Sequence, residues 1–122
     1  PEVRETVTFG QLLDSWPEER RLLVCAEWGE ARPIVEALQA LRAEEPGATA
    51  PWAVMTGPEG GFAESELDAL RKLPFVTPVG LGPRILRADT AALAAIACWQ
   101  AVLGDGARRP PARLAGFPAP EA

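Results

Sequence analysis

Histidine and tyrosine are both missing from this 122-residue chain. Their absence removes a Ser-His-Asp triad, a Cys-His nucleophile pair and any histidine-based zinc site. Chemistry here must rest on carboxylates, arginines, backbone groups or a bound cofactor. Cysteine is scarce too, with Cys25 and Cys98 the whole set. They form no C-x-x-C pair and each lies in an apolar stretch, so both are expected as packing residues of a cytosolic protein. Positive charge is short: 12 Lys and Arg face 17 Asp and Glu, a net of −5. That balance argues against a free-standing nucleic-acid binder. It leaves room for an enzyme whose nucleic-acid affinity sits on another domain. No apolar run reaches the length of a bilayer span; the most apolar, Thr90 to Leu103, is Ala-rich and too short. No basic segment followed by an apolar one marks a signal peptide, and a cytoplasmic location is expected. The phosphate patterns G-x-x-x-x-G-K-[ST] and G-x-G-x-x-G are missing as well, which counts against a nucleoside triphosphate or dinucleotide site. The chain begins at Pro1 rather than Met and reads as a piece of a longer protein.

What remains is rich enough in apolar residues for a folded core, and the length suits one domain. Thr8, followed three residues later by Gln11, has the spacing of a capping box and predicts a short helix to about Asp14. Arg21 to Ala26 reads as a buried strand, bounded by charges before it and Trp28-Gly29 after it. Pro33 suits the first turn of a helix over 32–43, with Ile34, Leu38 and Leu41 on one face. Glu44 to Pro51 reads as a loop. Trp52 to Thr56 is a second short strand, stopped by the run from Gly57 to Gly61. A helix from Glu64 to Leu73 places Glu64, Glu66 and Asp68 early, where the helix dipole favours negative charge. Phe75 to Leu81 reads as a third strand, in which Pro78 marks an edge or a bulge.

A last helix is expected from Ala88 to Leu103, capped by Asp89 and Thr90 and stopped by Gly104. Strand and helix thus alternate three times. The fold class that follows is α/β, a parallel sheet flanked by helices. Residues 104–122 are Pro- and Ala-rich and read as an irregular tail, leaving 1–103 as the domain. The last helix is apolar nearly all round, with Ala91, Ala92, Ala94, Ala95 and Ala97 about Leu93, Ile96, Trp99 and Val102. A helix without a polar face is buried on every side. Its second cover is either another helix of the same chain or a partner subunit, and both stay open.

In an open parallel sheet, ligands bind at the carboxyl ends of the strands. Two glycine-bearing loops leave such ends: Gly57 to Gly61, and Gly80-Leu81-Gly82-Pro83-Arg84. Glycine lets backbone N–H groups approach a ligand closely. Taken alone, both loops also suit ordinary strand-to-helix turns.

The full strings say more. Met55-Thr56-Gly57-Pro58-Glu59-Gly60-Gly61-Phe62 and Leu81-Gly82-Pro83-Arg84-Ile85-Leu86-Arg87-Ala88-Asp89-Thr90-Ala91 resemble, in order and spacing, the signature of RsmE-type 16S rRNA (uracil-N3)-methyltransferases of the SPOUT superfamily. The resemblance runs from about Leu22 to Leu103. It implies a SPOUT-type α/β trefoil knot, truncated here at its N-terminus, with S-adenosyl-L-methionine held in the knot. The implied reaction is methyl transfer to N3 of one uridine in the 16S ribosomal RNA of the small ribosomal subunit. The implied assembly is a homodimer through the C-terminal helix and the knot region. Family members also carry an N-terminal RNA-binding barrel, which this chain is expected to lack together with the first strands of the knotted domain. The acidic charge fits that loss.

Carried over by position, the resemblance implies that Met55, Gly57, Glu59, Gly60 and Gly61 line one side of the cofactor site. Leu81, Gly82, Ile85, Leu86 and Thr90 then line the other. Ile85 and Leu86 offer apolar contact to the adenine, or are core residues at a helix entry. Glu59 is either a catalytic base or a clamp of its own loop. The clamp is favoured, since such a carboxylate commonly accepts local backbone N–H bonds. Arg84 and Arg87 are the catalytic candidates. They suit RNA phosphates, or negative charge on the uracil as its imide proton leaves, or else form a solvated pair. The family usually has Ser or Thr where Ala63 stands. Two other readings stay open: a SPOUT enzyme acting on transfer RNA or another ribosomal site, and a non-catalytic dimerisation remnant of the fold.

Overall fold

The computed structural model describes residues 1–26, 31–44, 50–58 and 61–111. Helix α1 (Phe9–Asp14) is followed by β1 (Arg21–Cys25), β2 (Arg32–Pro33), α2 (Ile34–Glu44) and β3 (Trp52–Thr56). Then come α3 (Glu64–Arg71), β4 (Val76–Gly80) and α4 (Ala88–Val102). The four strands form one parallel sheet in the order β2-β4-β1-β3. Helices pack on both faces, as the alternating pattern requires.

The central strand shows why the pattern reads as it does. Side chains alternate across a strand. Leu22, Val24 and Ala26 therefore enter one apolar cluster, and Leu23 and Cys25 the other. A parallel strand covered on both faces needs apolar residues throughout. On one face α2 and α4 bring Ile34, Ala37, Leu38 and Ala95 onto Leu23 and Val79. On the other, α1 and α3 bring Phe9, Leu13, Leu67 and Leu70 onto Leu22 and Val24. The capping box of α1 forms in full. Thr8 Oγ1 accepts the Gln11 N–H at 3.1 Å, and Gln11 Oε1 accepts the Thr8 N–H at 3.0 Å.

Three local expectations need correction. Pro33 is not in the first turn of a helix. With Arg32 it forms the two-residue strand β2, paired with Gly80 and Val79 of β4, and the helix starts at Ile34. Proline is tolerated there because β2 is an edge. Pro78 in turn does not mark an edge strand, since β4 lies between β2 and β1. The bonds from Leu22 N–H to Phe75 C=O and from Ala26 N–H to Val79 C=O turn the odd-numbered groups of β4 toward β1. Pro78 therefore turns its nitrogen the other way, where β2 begins pairing only at Val79. Its missing donor costs no ladder bond.

The third correction concerns α4. Its N-cap is Arg87, extended at φ −62° and ψ 151°, with no side-chain cap bond. Helical bonding has begun by Ala91 N–H to Arg87 C=O at 2.8 Å, which puts Asp89 and Thr90 inside the first turn. Asp89 Oδ1 still accepts the Thr90 N–H at 2.9 Å, so it satisfies one end amide from within. Nor is α4 buried all round by this chain. Ala91 and Ala95 face the core, while Leu93 and Ile96 are 69% and 46% exposed.

The helix ends with Leu103 and Gly104 both donating to Trp99 C=O, at 2.8 and 3.0 Å. A Cβ at Gly104 would collide with the Gln100 carboxamide and the Trp99 ring, so close approach is what glycine supplies there. Trp28-Gly29, most of the loop to Pro51, and the tail beyond Pro111 lie outside the described residues.

Candidate functional site

Because the sheet is parallel, β1, β3 and β4 deliver their carboxyl ends to one edge. Cys25 and Thr56 stand at two of those ends. Gly57, Pro58, Gly61 and Phe62 follow β3, and Leu67 reaches in from α3. Ile85 and Leu86 arrive from the loop after β4, with Ala88 and Ala91 on α4 behind them. Together these residues line a cleft of about 270 Å³. That lies near the lower end of ligand pockets, which run from roughly 300 to 1,000 Å³.

The two glycine loops of the sequence thus meet. Of the predicted site residues, Gly57, Gly61, Ile85 and Leu86 line the cleft. Gly61 has φ +79°, and its N–H donates to Pro58 C=O at 2.8 Å. Gly82 has φ +107° and shapes the second loop without lining the cleft. Ile85 is 85% exposed and forms the rim.

Other predicted residues stand elsewhere. Met55 packs with the cluster of Leu22, Val24 and Leu70, on the face of β3 opposite to Thr56, and does not line the cleft. Leu81 packs against the cluster of Leu23 and Val79. Thr90 is exposed on α4. Arg84 and Arg87 are exposed, and Arg87 Nε lies 3.6 Å from Asp89 Oδ1. Glu59 and Gly60 lie outside the described residues.

Sequence reasoning did not single out Cys25, Thr56, Pro58, Phe62, Leu67, Ala88 and Ala91 as lining. Thr56, Pro58, Phe62, Ala88 and Ala91 sit inside the two quoted strings. Cys25 could have been found from its place at the carboxyl end of a strand. Leu67 carries no signal beyond helix periodicity. Among the described residues no cluster of three or more His, Cys, Asp or Glu could hold a metal ion. Nor is any helix among them long and apolar enough to cross a membrane.

A family model described as an RNA methyltransferase domain matches residues 1–100. The chain belongs to this family. The ribosomal RNA small subunit methyltransferase E of Bacillus subtilis is 34% identical over 96 residues, spanning 79% of this chain and 37% of that protein. The protein of the same name from Rickettsia conorii is 48% identical over 44 residues, 36% of this chain and 18% of its own length. Among solved structures, ribosomal RNA small subunit methyltransferase E of Neisseria gonorrhoeae, bound to S-adenosylmethionine, matches with TM-score 0.61 and 32% identity. The match covers 80% of this chain and 36% of that one. A Legionella pneumophila protein described as a methyltransferase, with the cofactor bound, matches with TM-score 0.62 and 30% identity. It is covered to 37% of its length, and this chain to 83%. The chain thus spans between 18% and 37% of the length of these relatives.

Two features of the chain bear on its stability. Helix α3 starts from Ala63, an N-cap residue with no acceptor, so only half a capping box exists: Glu66 Oε1 accepts the Ala63 N–H at 2.8 Å. Ala63→Ser supplies the missing oxygen to the Glu66 N–H. It is expected to raise stability by about 1 kcal/mol, read as a higher urea midpoint at unchanged slope.

Cys25 has its thiol pKa pushed up from 9.0 to about 11, first by burial and then by neighbouring Cys98. At neutral pH the cleft wall there is a neutral thiol. The unfolded chain releases this proton from about pH 9, and the folded chain holds it to about 11. Stability is therefore expected to decline as pH rises through that window. Thermal unfolding at stepped pH should show the decline in the native sequence and a flatter profile in Cys25→Ala.

Proposed function

We infer that this chain carries the S-adenosylmethionine cleft of an enzyme that methylates N3 of a uridine in 16S ribosomal RNA. The observation that supports it most is the meeting of two glycine-bearing loops over one cleft at the carboxyl ends of parallel strands. The donor set suits the cofactor. Leu67, Leu86, Ala88 and Ala91 offer apolar wall to a purine, and Gly57 and Gly61 offer backbone for its polar edge. Among the described residues no Lys or Arg lines the cleft. That suits a cationic sulfonium better than a phosphate, which draws guanidinium or ammonium partners.

S-adenosylmethionine bound there supplies an activated methyl group, so no residue of this chain need form a covalent intermediate. The chain binds, orients and manages the proton leaving N3. Arg84 and Arg87 are assigned to RNA phosphate and to negative charge building on the uracil. The Arg87–Asp89 pair is exposed on both sides and worth at most about 1 kcal/mol, so an incoming phosphate competes for the guanidinium. Glu59 is assigned the role of loop clamp. Residues 1–103 form part of a knotted SPOUT domain, and 104–122 its tail. The net charge of −5 agrees with the main RNA grip lying in the remainder of a longer protein. The exposed Leu93 and Ile96 agree with a homodimer through α4. A cytoplasmic site of action follows from the substrate.

Calorimetric titration of S-adenosylmethionine into the chain should give saturable one-to-one binding. A folded chain without affinity would falsify the cleft assignment. For the nucleotide, 16S RNA from cells lacking the whole protein should miss one N3-methyluridine by mass analysis. A loss confined to transfer RNA would move the substrate there.

A further inference from the structure

The contact between Phe62 and Gly57 is the least explained feature of the cleft. The Phe62 ring is half-buried. It packs with Leu22, Val24 and Leu70 on one side and lines the cleft on the other. A Cβ placed on Gly57 would lie 3.1 Å from both Cδ2 and Cε2 of that ring. The flat ring thus lies beside the Gly57 backbone, close enough that a methyl group there would push it by a few tenths of an ångström. The two residues bracket the first loop, one at each end. Gly61 stands at φ +79° with its N–H on Pro58 C=O at 2.8 Å.

We propose that Phe62 is a positioning residue for the cofactor: its ring, seated on the core beneath and beside Gly57, holds the Gly57 backbone where the ligand requires it. The proposal rests on the S-adenosylmethionine reading of the cleft. Phe62 reaches the ligand through the loop, by fixing where the Gly57 and Gly61 backbone stands. A ring that served only the core would affect stability and leave affinity unchanged.

The two residues can be tested as a pair, by calorimetric titration of S-adenosylmethionine with thermal unfolding of each variant alongside. Phe62→Leu loses the flat face and should lower affinity about tenfold, and Phe62→Tyr, which keeps it, should bind as the native chain does. Gly57→Ala should also cost about tenfold, because its methyl group meets the ring. In the Phe62→Leu background Gly57→Ala should cost no further affinity, since the obstructing ring is gone. Additive losses, or native affinity in Phe62→Leu, would overturn the proposal. If Phe62→Leu does not fold, Phe62→Met carries the same comparison. A folded native chain that binds no S-adenosylmethionine overturns the cofactor reading itself, and this proposal with it. That result is distinct from native binding with an additive cycle.

Discussion

Leu23→Ala should destabilise the chain by about 2–5 kcal/mol, the cost of truncating a fully buried leucine whose surroundings close in only partly. Leu23 is 0% exposed on the central strand, and its cluster joins Ile34, Ala37 and Leu38 of α2, Val79 of β4 and Ala95 of α4. Truncation there loosens four elements at once. Single domains are stable by only about 5–15 kcal/mol, so the loss should remove roughly a third of the urea midpoint. Leu93→Ala is the informative companion. Leu93 is 69% exposed on α4, and its truncation should change the midpoint little if the chain unfolds as a monomer. A Leu93→Ala loss that approaches the Leu23→Ala loss, and that grows with protein concentration, would show the outer face of α4 covered by a second copy in solution.

Those two leucines also show what could be read from residues alone. The burial of Leu23 was legible, because a five-residue apolar run with charges before it has few other uses. The exposure of Leu93 was not, because an Ala-rich helix looks the same whether its outer face meets solvent, its own chain or a partner. β1, β3 and α3 follow from periodicity and from glycine stops. β2 could not, since two residues carry no period and only the register with Val79 and Gly80 makes them a strand. Pro78 was legible as a missing donor, yet which edge it faced depended on the order of the strands.

The site divides in the same way. The two motif strings contain Gly57, Gly61, Ile85 and Leu86, which line the cleft. They also contain Met55 and Thr90, which do not, because a string fixes proximity along the chain and not the direction a side chain takes. Met55 and Thr56 are adjacent and face opposite sides of the sheet. Cys25 lies outside both strings and reaches the cleft only because β1 pairs beside β3.

Gly61→Val and Gly82→Val should each weaken S-adenosylmethionine binding by about tenfold or more, and together abolish it at accessible concentrations. The cause is conformation, not crowding. A Cβ at Gly61 meets nothing within 4 Å, and one at Gly82 meets only Arg84 Nη1 at 4.0 Å. Their φ angles of +79° and +107°, however, are ones that side chains rarely adopt, least of all β-branched ones. Holding valine there costs on the order of 1–3 kcal/mol. The loop can keep its path at that expense in stability, or relax and change the cleft. An affinity loss of tenfold corresponds to about 1.4 kcal/mol, so relaxation of one loop is enough to produce it. Gly10→Ala separates this from a general intolerance of glycine replacement. Gly10 lies in α1 with open space around it and no positive φ. Alanine there should raise stability by up to about 1 kcal/mol and leave affinity unchanged. Native affinity in Gly61→Val would mean that the turn at Gly61 serves the chain reversal alone and that the ligand reads other atoms of the loop.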